Sequence, residues 1–517
     1  MRKLLLFIST IIAFILLSAN ALQPQSLPSP EMPVAAAHPV KRLAEETKDQ
    51  DERFADAFQE VQKWIQKKAF PGAVLAVGQH GKLVVWKSFG KMDYSAGAAP
   101  VPKNAIFDLA SLTKVTGTTT AAEILYDRKL LDLDAPVTRY IPEFAGTPGH
   151  EQVLVRNLLS HSSGLNSRKV LWKQATDREG IMHLVYTLPM DFQPGQKMQY
   201  RDYNFILMGE IVYRITGQRL DRFLKKNVFK PLNMKDTGFN PSPKLLNRIP
   251  PTEQDNVLRH ELVHGVVHDE NAFLMGGVSG HAGLFSSAHD LAILAQMYLN
   301  GGIYNGKRIV SQSTLKVFMQ RQSMPPGTSR ALGWDTPVKG SFPGDLASPH
   351  AIIHTGFTGT SIYIDPDRDA FIILLTNRVN PTRKNLLISK ARPAIHTAVL
   401  EALDGTHVQA GAQPPSTPTH QVIYFAFQNQ GNNIWAMLTK RDLHLWEEEQ
   451  TAGIVLALQD IVPAPHTPLR PVDCRRVNLY RIEKLPVPAP LTWSPTRKDF
   501  RVPAMFGEMV CTDRRAS

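Results

Sequence analysis

Cysteine is almost missing from this chain of 517 residues: there are two, Cys474 and Cys511, both near the C-terminus. Everything before Cys474 therefore has no thiol nucleophile, and a zinc site built on cysteines is excluded by the same count. Long apolar runs are equally scarce. One lies at the N-terminus and none follows it, which rules out a bundle of membrane-spanning helices. Blocks of like charge are absent, and the basic residues are not interleaved with aromatic ones. The formal charge of +12 is thus not arranged as a nucleic-acid platform. No internal repeat occurs, so solenoids and propellers are excluded as well.

What is present is a globular composition, 43% hydrophobic and 20% charged, in a chain longer than one compact core normally holds. Arg2 and Lys3, the apolar run Leu4 to Leu17 and the small residues Ala19-Asn20-Ala21 are the three parts of a secretory signal. Residues 1–21 are read as that leader, with the mature chain starting at Leu22 in the periplasm or outside the cell. Left uncleaved, the same run would anchor the protein to a membrane. Removing Arg2 and Lys3 lowers the formal charge from +12 to +10, a basic balance that suits an anionic surface such as cell wall rather than nucleic acid. Export also permits a disulfide between Cys474 and Cys511. No motif sets an oligomeric state.

Residues 22–50, with Pro24, Pro28, Pro30, Pro33 and Pro39, read as an extended tether. Folding is expected from Asp51, where Phe54, Phe58, Val61, Trp64 and Ile65 recur at helical spacing, followed by strands at Ala73 to Val77 and Leu83 to Trp86. The stretch Ser111 to Asn300 is mostly helix-like. Ile352 to Asn377 reads as strands around the turn Asp365-Pro366-Asp367-Arg368-Asp369. Strands at both ends with helices between predict an α/β (α+β) domain over 51–403: one sheet from distant segments, flanked by helices, beside a helical subdomain. Residues 404–420 read as a linker. Residues 421–517, with strand-like Val422 to Phe427 and a proline-rich end, read as a small β-rich appendage of open role.

Ser111-Leu112-Thr113-Lys114 follows the apolar run Ile106 to Ala110 and is expected to open a helix, which sets the lysine amine one turn from the serine hydroxyl on the same face. Serine is a poor nucleophile until a neighbouring base takes its proton. Spacing alone does not single out this pair, because Ser88 to Lys91 and Ser313 to Lys316 repeat it. The first copy ends a predicted strand and the second has no companion motif. A competing signal is His260-Glu261-Leu262-Val263-His264, the pattern by which a helix presents two imidazoles to zinc. Gly265-Val266-Val267 follows at once and continues a helix poorly, so the serine site is preferred and no metal or organic cofactor is expected.

The segment Phe107 to Lys114 (FDLASLTK), Leu158 to Leu165 (LLSHSSGL) and His354-Thr355-Gly356 followed by Gly359-Thr360 together resemble the class C β-lactamases and their DD-peptidase and esterase relatives. The resemblance spans about Asp51 to Leu403 and implies a β-lactamase/transpeptidase-like fold, an antiparallel sheet flanked by helices, with Ser111 as nucleophile. His268 to Ala272 and Gly276 to Ser286 are similar to a cell-wall subgroup containing weak penicillin-binding DD-carboxypeptidases and muramyl-peptide amidases. The family's Tyr-x-Asn motif falls at Tyr200-Arg201-Asp202, with Asp in place of Asn; Tyr203-Asn204 is an alternative register. A tyrosine relays protons only if cations lower its pKa from about 10. Asp202 is expected to pair with Lys114, hold it charged, and shift base work to Tyr200. The third motif has His354 where lysine is usual, which weakens carboxylate recognition because histidine, with a pKa of about 6.5, is mostly neutral at neutral pH.

The resemblance further implies an oxyanion hole from the N–H groups of Ser111 and Phe357, with Thr355 and Gly356 on the bordering strand. His268, Asp269 and His281 are candidates for the rim of the site, His281 as a substrate-binding residue, with core or loop bracing the preferred role for the histidines. His161 is read as structural. The function expected is an exported serine hydrolase that forms an acyl-enzyme and cleaves amides of peptidoglycan or its fragments. A carboxylesterase, a weak β-lactamase and a silent cell-wall binder are the alternatives.

Overall fold

A computed structural model describes residues 42–166 and 170–405 and, nearer the C-terminus, the backbone of strands between 423 and 512. The leader, most of the tether, the linker beyond 405 and Cys474 lie outside the described residues. By its internal contacts the chain divides into a unit ending at His407 and a second unit from Val408.

The first unit is built on six strands, β1 (Ala44–Glu45), β2 (Gly72–Gln79), β3 (Lys82–Gly90), β4 (Ile352–Thr355), β5 (Ser361–Asp365) and β6 (Ala370–Thr376), in the spatial order β1-β3-β2-β6-β5-β4. The β2–β3 hairpin turns at His80-Gly81, both at positive φ, which matches the twist of the strands. β2 pairs antiparallel with β6, from Ala73 opposite Thr376 to Gln79 opposite Ala370. Both faces of these central strands are covered. Val74, Ala76, Phe371, Ile373 and Leu375 enter the core beneath the helical part, while Ala73, Leu75, Val77, Ile372 and Leu374 enter a second core. That is why the β6 sequence is apolar throughout instead of alternating.

The second core is closed by helices α1 (Ala55–Gln66) and α5 (Ile388–Leu403), which pack on each other. Phe58, Val61 and Trp64 form the buried stripe of α1, as their spacing predicts. Between β3 and β4 the chain makes the helical subdomain, with α2 (Thr120–Asp127), α3 (Asp202–Thr216) and α4 (Ala288–Leu299). α4 lies against β2 and β6 and is buried almost all round. A small sheet of Ile106–Asp108, Leu284–Ser287 and Gly238–Phe239 joins the two parts.

The domain is thus the predicted sheet flanked by helices with a helical subdomain, with three local differences. The sheet is mixed, because β1 runs parallel to β3. β1 also places Ala44–Glu45 in the folded unit rather than in the tether; the pairing consists of backbone bonds such as Ala44 N–H to the Gly81 carbonyl at 3.1 Å, which composition does not reveal. The helix after Ser111 opens as a wide π-helical stretch, Lys114–Thr119, before α2 begins, a distortion that recurs at functional sites.

In the second unit, Ile423–Asn429, Asn432–Leu438, Asp442–Glu447 and Ile454–Ala457 form an antiparallel sheet in sequence order. Arg470–Pro471, Met509–Thr512, Asp499–Val502 and Thr492–Ser494 form another, in that spatial order. The appendage is β-rich, as its composition predicts.

Candidate active site

Ser111 is placed by a turn that the buried Asp108 ties together. One carboxylate oxygen accepts the Ala110 N–H at 2.8 Å and the other accepts the His268 N–H at 2.7 Å, while burial pushes the pKa of this acid up. Ala110 is held at φ +45°, a left-handed conformation that costs a non-glycine residue of order 1–3 kcal/mol and is typical of functional turns. The turn projects Ser111 at the mouth of the wide helical stretch.

Lys114 is completely buried, and its Nζ lies 2.9 Å from Ser111 Oγ, 2.7 Å from Asp202 Oδ1 and 3.0 Å from the His281 carbonyl oxygen. Burial alone would pull its pKa down. The carboxylate of Asp202 and the nearby Tyr200 outweigh that penalty, so the pKa is raised and the ammonium stays charged. The Asp202–Lys114 pair expected from the sequence is formed. The alternative register is not used: Tyr203 is a core residue, and Asn204 accepts from Ser163 Oγ at 2.6 Å, away from Lys114.

Tyr200 is partly exposed and surrounded by charge and rings. Lys114 Nζ lies 5.1 Å and Arg330 Cζ 5.4 Å from its ring centroid. The His161 ring packs on it with centroids 4.4 Å apart, and His354 stands at 6.1 Å. Burial first, then the charges of Arg330 and Lys114, hold both imidazoles neutral, well below their usual range. Nε2 of each histidine, and Nε and Nη1 of Arg330, are buried without a hydrogen-bond partner among the described residues. Sequence reading missed Arg330, which lies in no motif; His161, read as structural, is wholly buried and accepts the Arg201 N–H on Nδ1 at 3.2 Å while its ring packs on Tyr200.

The loop after β4 faces the nucleophile turn. Thr358 Oγ1 donates to the Asp108 carbonyl at 2.7 Å and Thr360 Oγ1 to the Leu109 carbonyl at 3.0 Å. Between Thr355 and Phe357 the backbone runs so close that a Cβ on Gly356 would sit 2.4 Å from the Leu109 oxygen, so glycine is required. The N–H groups of Ser111 and Phe357 donate to no acceptor among the described residues, which leaves two free donors beside the serine.

One expectation needs correction. His281 does not offer its ring to a substrate: Nδ1 bonds Ser279 Oγ and Nε2 bonds Asp269 Oδ1, both at 2.8 Å, and the side chain is buried. It serves through its carbonyl, which holds Lys114. His268 is likewise consumed, by Glu253 at 2.9 Å, and it stacks beneath Phe357. The rival zinc pattern is not on a helix. Glu261–Leu262 is a short strand, His260 has positive φ, and His264 Nε2 bonds the Ile249 carbonyl at 2.7 Å, so the two imidazoles do not share a face. The other serine–lysine pairs sit on β3 and on Gln312–Met319, with Lys91, Ser313 and Lys316 exposed and not gathered with these groups.

A buried lysine on a serine hydroxyl, a flanking tyrosine and free N–H donors define a serine hydrolase site on a sheet flanked by helices. The chain belongs to the Beta-lactamase family, whose model matches residues 52–393. It is 33% identical over 382 residues to a protein of Escherichia coli O157:H7 named "Putative D-alanyl-D-alanine carboxypeptidase", covering 66% of this chain and 87% of that one. It is 34% identical over 376 residues to a protein of the same name from Salmonella agona, covering 64% and 86%. The fold is shared with a penicillin-binding protein homolog from Caulobacter crescentus (TM-score 0.53, 19% identity, 67% of this chain and 98% of that one). It is also shared with EstCE1, a hydrolase with promiscuous acyltransferase activity (TM-score 0.55, 19% identity, 68% and 100%).

Proposed function

We propose that the protein is an exported DD-carboxypeptidase-type hydrolase that forms an acyl-enzyme on Ser111 and releases the terminal residue of peptidoglycan peptides. The observation that carries the chemistry is Lys114 Nζ, held charged 2.9 Å from Ser111 Oγ by Asp202. A lysine kept protonated does not serve as the base. Tyr200 is therefore the relay through which the Oγ proton leaves as Oγ bonds to the substrate carbonyl carbon, beside the positive charge of Lys114. The carbonyl oxygen becomes an oxyanion received by the N–H groups of Ser111 and Phe357. The proton passes to the leaving amine as the C–N bond breaks. Water then attacks the ester carbon and loses a proton to Tyr200; the C–Oγ bond breaks and Tyr200 passes that proton to Oγ, which regenerates the Ser111 hydroxyl and frees the acid.

Support for a substrate ending in a carboxylate comes from Arg330. The usual lysine of the third motif is His354, held neutral, but Arg330, whose Nη2 pairs with Asp335 at 3.3 Å, brings a permanent cation with two nitrogens unpartnered among the described residues to within 5.4 Å of the Tyr200 ring centroid. The named relatives and the secretory signal support cell-wall peptides encountered after export. A carboxylesterase is the second reading, favoured by the neutral imidazole of His354 at the position of a cation.

The test is intact-mass spectrometry after exposure to a fluorescent penicillin and, separately, a fluorophosphonate, with Ser111→Ala as control. Adducts from both probes that vanish in the variant support the peptide reading, and D-alanine release from a D-alanyl-D-alanine peptide completes it. Labelling by fluorophosphonate alone, with ester but no peptide turnover, would establish the esterase. No Ser111 adduct from either probe would refute both.

A further inference from the structure

Two arginines grip the oxyanion loop from behind. Arg392, on α5, is half-buried, with its Nε buried and unpartnered among the described residues; its Nη2 donates to the Gly356 carbonyl at 2.6 Å and to the Thr360 carbonyl at 3.0 Å. Arg378 donates through Nε to the Phe357 carbonyl at 2.7 Å and through Nη1 to the carbonyls of Arg383 and Asn385. Arg392 forms no salt bridge to a carboxylate among the described residues. Burial, with the charge of Arg378 added, pulls its pKa down to about 9. A cation taken from water without a counter-charge is costly, and that cost has to be offset by something the site gains.

The gain lies in one peptide plane. The carbonyl held by Arg392 belongs to Gly356, and the N–H of that same peptide belongs to Phe357. The bond is trans, since the cis bonds of the described chain are Met324-Pro325 and Asn380-Pro381. In a trans peptide C=O and N–H point in opposite directions. Fixing the carbonyl on Arg392, with the Gly359 N–H donating to the same oxygen at 3.1 Å, therefore sets the direction of the Phe357 N–H, which has no acceptor among the described residues.

We propose that Arg392 is a positioning residue of the oxyanion hole: it locks the Gly356–Phe357 peptide in its donating orientation and supplies the counter-charge to the oxyanion through that peptide's dipole. The inference rests on the acyl-transfer reading above. The alignment guanidinium, C=O, N–H, oxyanion places the positive charge behind the donor, so the charge missing from Arg392's surroundings is the one that develops on the substrate. A brace for the loop alone would need the hydrogen bonds but not an uncompensated cation.

The experiment uses the mature full-length protein, with Arg392→Met and Arg392→Lys. It reads three quantities: the rate of fluorophosphonate labelling at Ser111, the thermal midpoint, and the phosphorus-31 chemical shift of the adduct, which reports hydrogen bonding to the phosphoryl oxygen. Arg392→Met is expected to label roughly 100-fold more slowly, the order for a catalytic group misplaced by about 1 Å. Its adduct signal should move towards that of the unfolded adduct. Arg392→Lys, which keeps the charge, should fall between it and the wild type.

Wild-type labelling rate in Arg392→Met would overturn the proposal, and so would slow labelling with an unchanged phosphorus signal, which marks a structural brace. If the methionine variant does not fold, the lysine variant decides: slowed labelling with a displaced signal supports the role, and wild-type values in both refute it. Failure of the acyl-transfer reading is seen separately, in the wild type, as no labelling at Ser111.

Discussion

Glu123, on α2, is wholly buried. Its Oε2 accepts the Tyr298 hydroxyl at 2.7 Å, and its Oε1 has no partner among the described residues. Burial pushes its pKa from 4.5 to about 8, the hydrogen bond from Tyr298 opposing this in part. The folded protein thus keeps a proton that the unfolded chain releases above pH 4.5, and stability from this group is fully present at low pH and lost as pH rises through about 8. At about 1.4 kcal/mol per pH unit, the window amounts to roughly 4–5 kcal/mol. The buried histidines His150, His161, His354 and His396 act in the opposite sense. Their pKa values are depressed, so they cost stability as pH falls below about 6.5, where the unfolded chain takes up protons. Between about pH 6.5 and 8 Glu123 dominates. Glu123→Gln keeps an acceptor for Tyr298 and removes the titration. Urea midpoints at several pH values should show the variant gaining on the wild type as pH rises, by about 1.4 kcal/mol per unit, with the histidine contribution cancelling between the two. Parallel curves for wild type and variant would refute a carboxyl that stays protonated in the fold.

Asp202→Asn should bring the alkaline limb of the pH–rate profile to lower pH, because burial then governs Lys114 unopposed by its strongest partner; an unmoved limb in a stopped-flow acylation series would remove Asp202 from the mechanism. His354 is held neutral by burial, Arg330 and Lys114, so kcat/KM should show no histidine step near pH 6.5. A step there that disappears in His354→Gln would count against that. Gly356→Ala forces a Cβ to 2.0 Å from Thr360 Oγ1 and 2.4 Å from the Leu109 oxygen, and should cost roughly 1–3 kcal/mol of stability together with most of the acylation rate. A fully active, equally stable variant in a melting and labelling assay would show that the loop yields without cost.

The residues legible beforehand are those whose chemistry is written into a local pattern. Ser111 and Lys114 are one turn apart, His354-Thr355-Gly356 ends a strand, and the Asp202–Lys114 pair follows from placing an acid where a neutral amide is usual. Arg330 and Arg392 were not legible, because each is a single arginine that acts through a tertiary contact from outside any motif. His281 shows the converse: a histidine in a suggestive segment whose ring is committed to Ser279 and Asp269, leaving its carbonyl to do the positioning. The sheet and its flanking helices could be read from apolar spacing, whereas the β1 pairing and the wide helical stretch depend on backbone bonds that carry no compositional mark.

The pairing of β2 with β6 sets a timetable for synthesis. Ala73 waits for Thr376, about 300 residues later, before the centre of the sheet can close. At roughly 5–20 residues per second that is a delay of about 15–60 s, during which the apolar β2–β3 hairpin has its partner edge open. The loop that faces Ser111 is made near the end of that interval. A chain broken off between Ser111 and β6 therefore carries the nucleophile but not the sheet that completes its site, and it leaves the ribosome as a substrate for chaperones and proteases rather than as a partial enzyme.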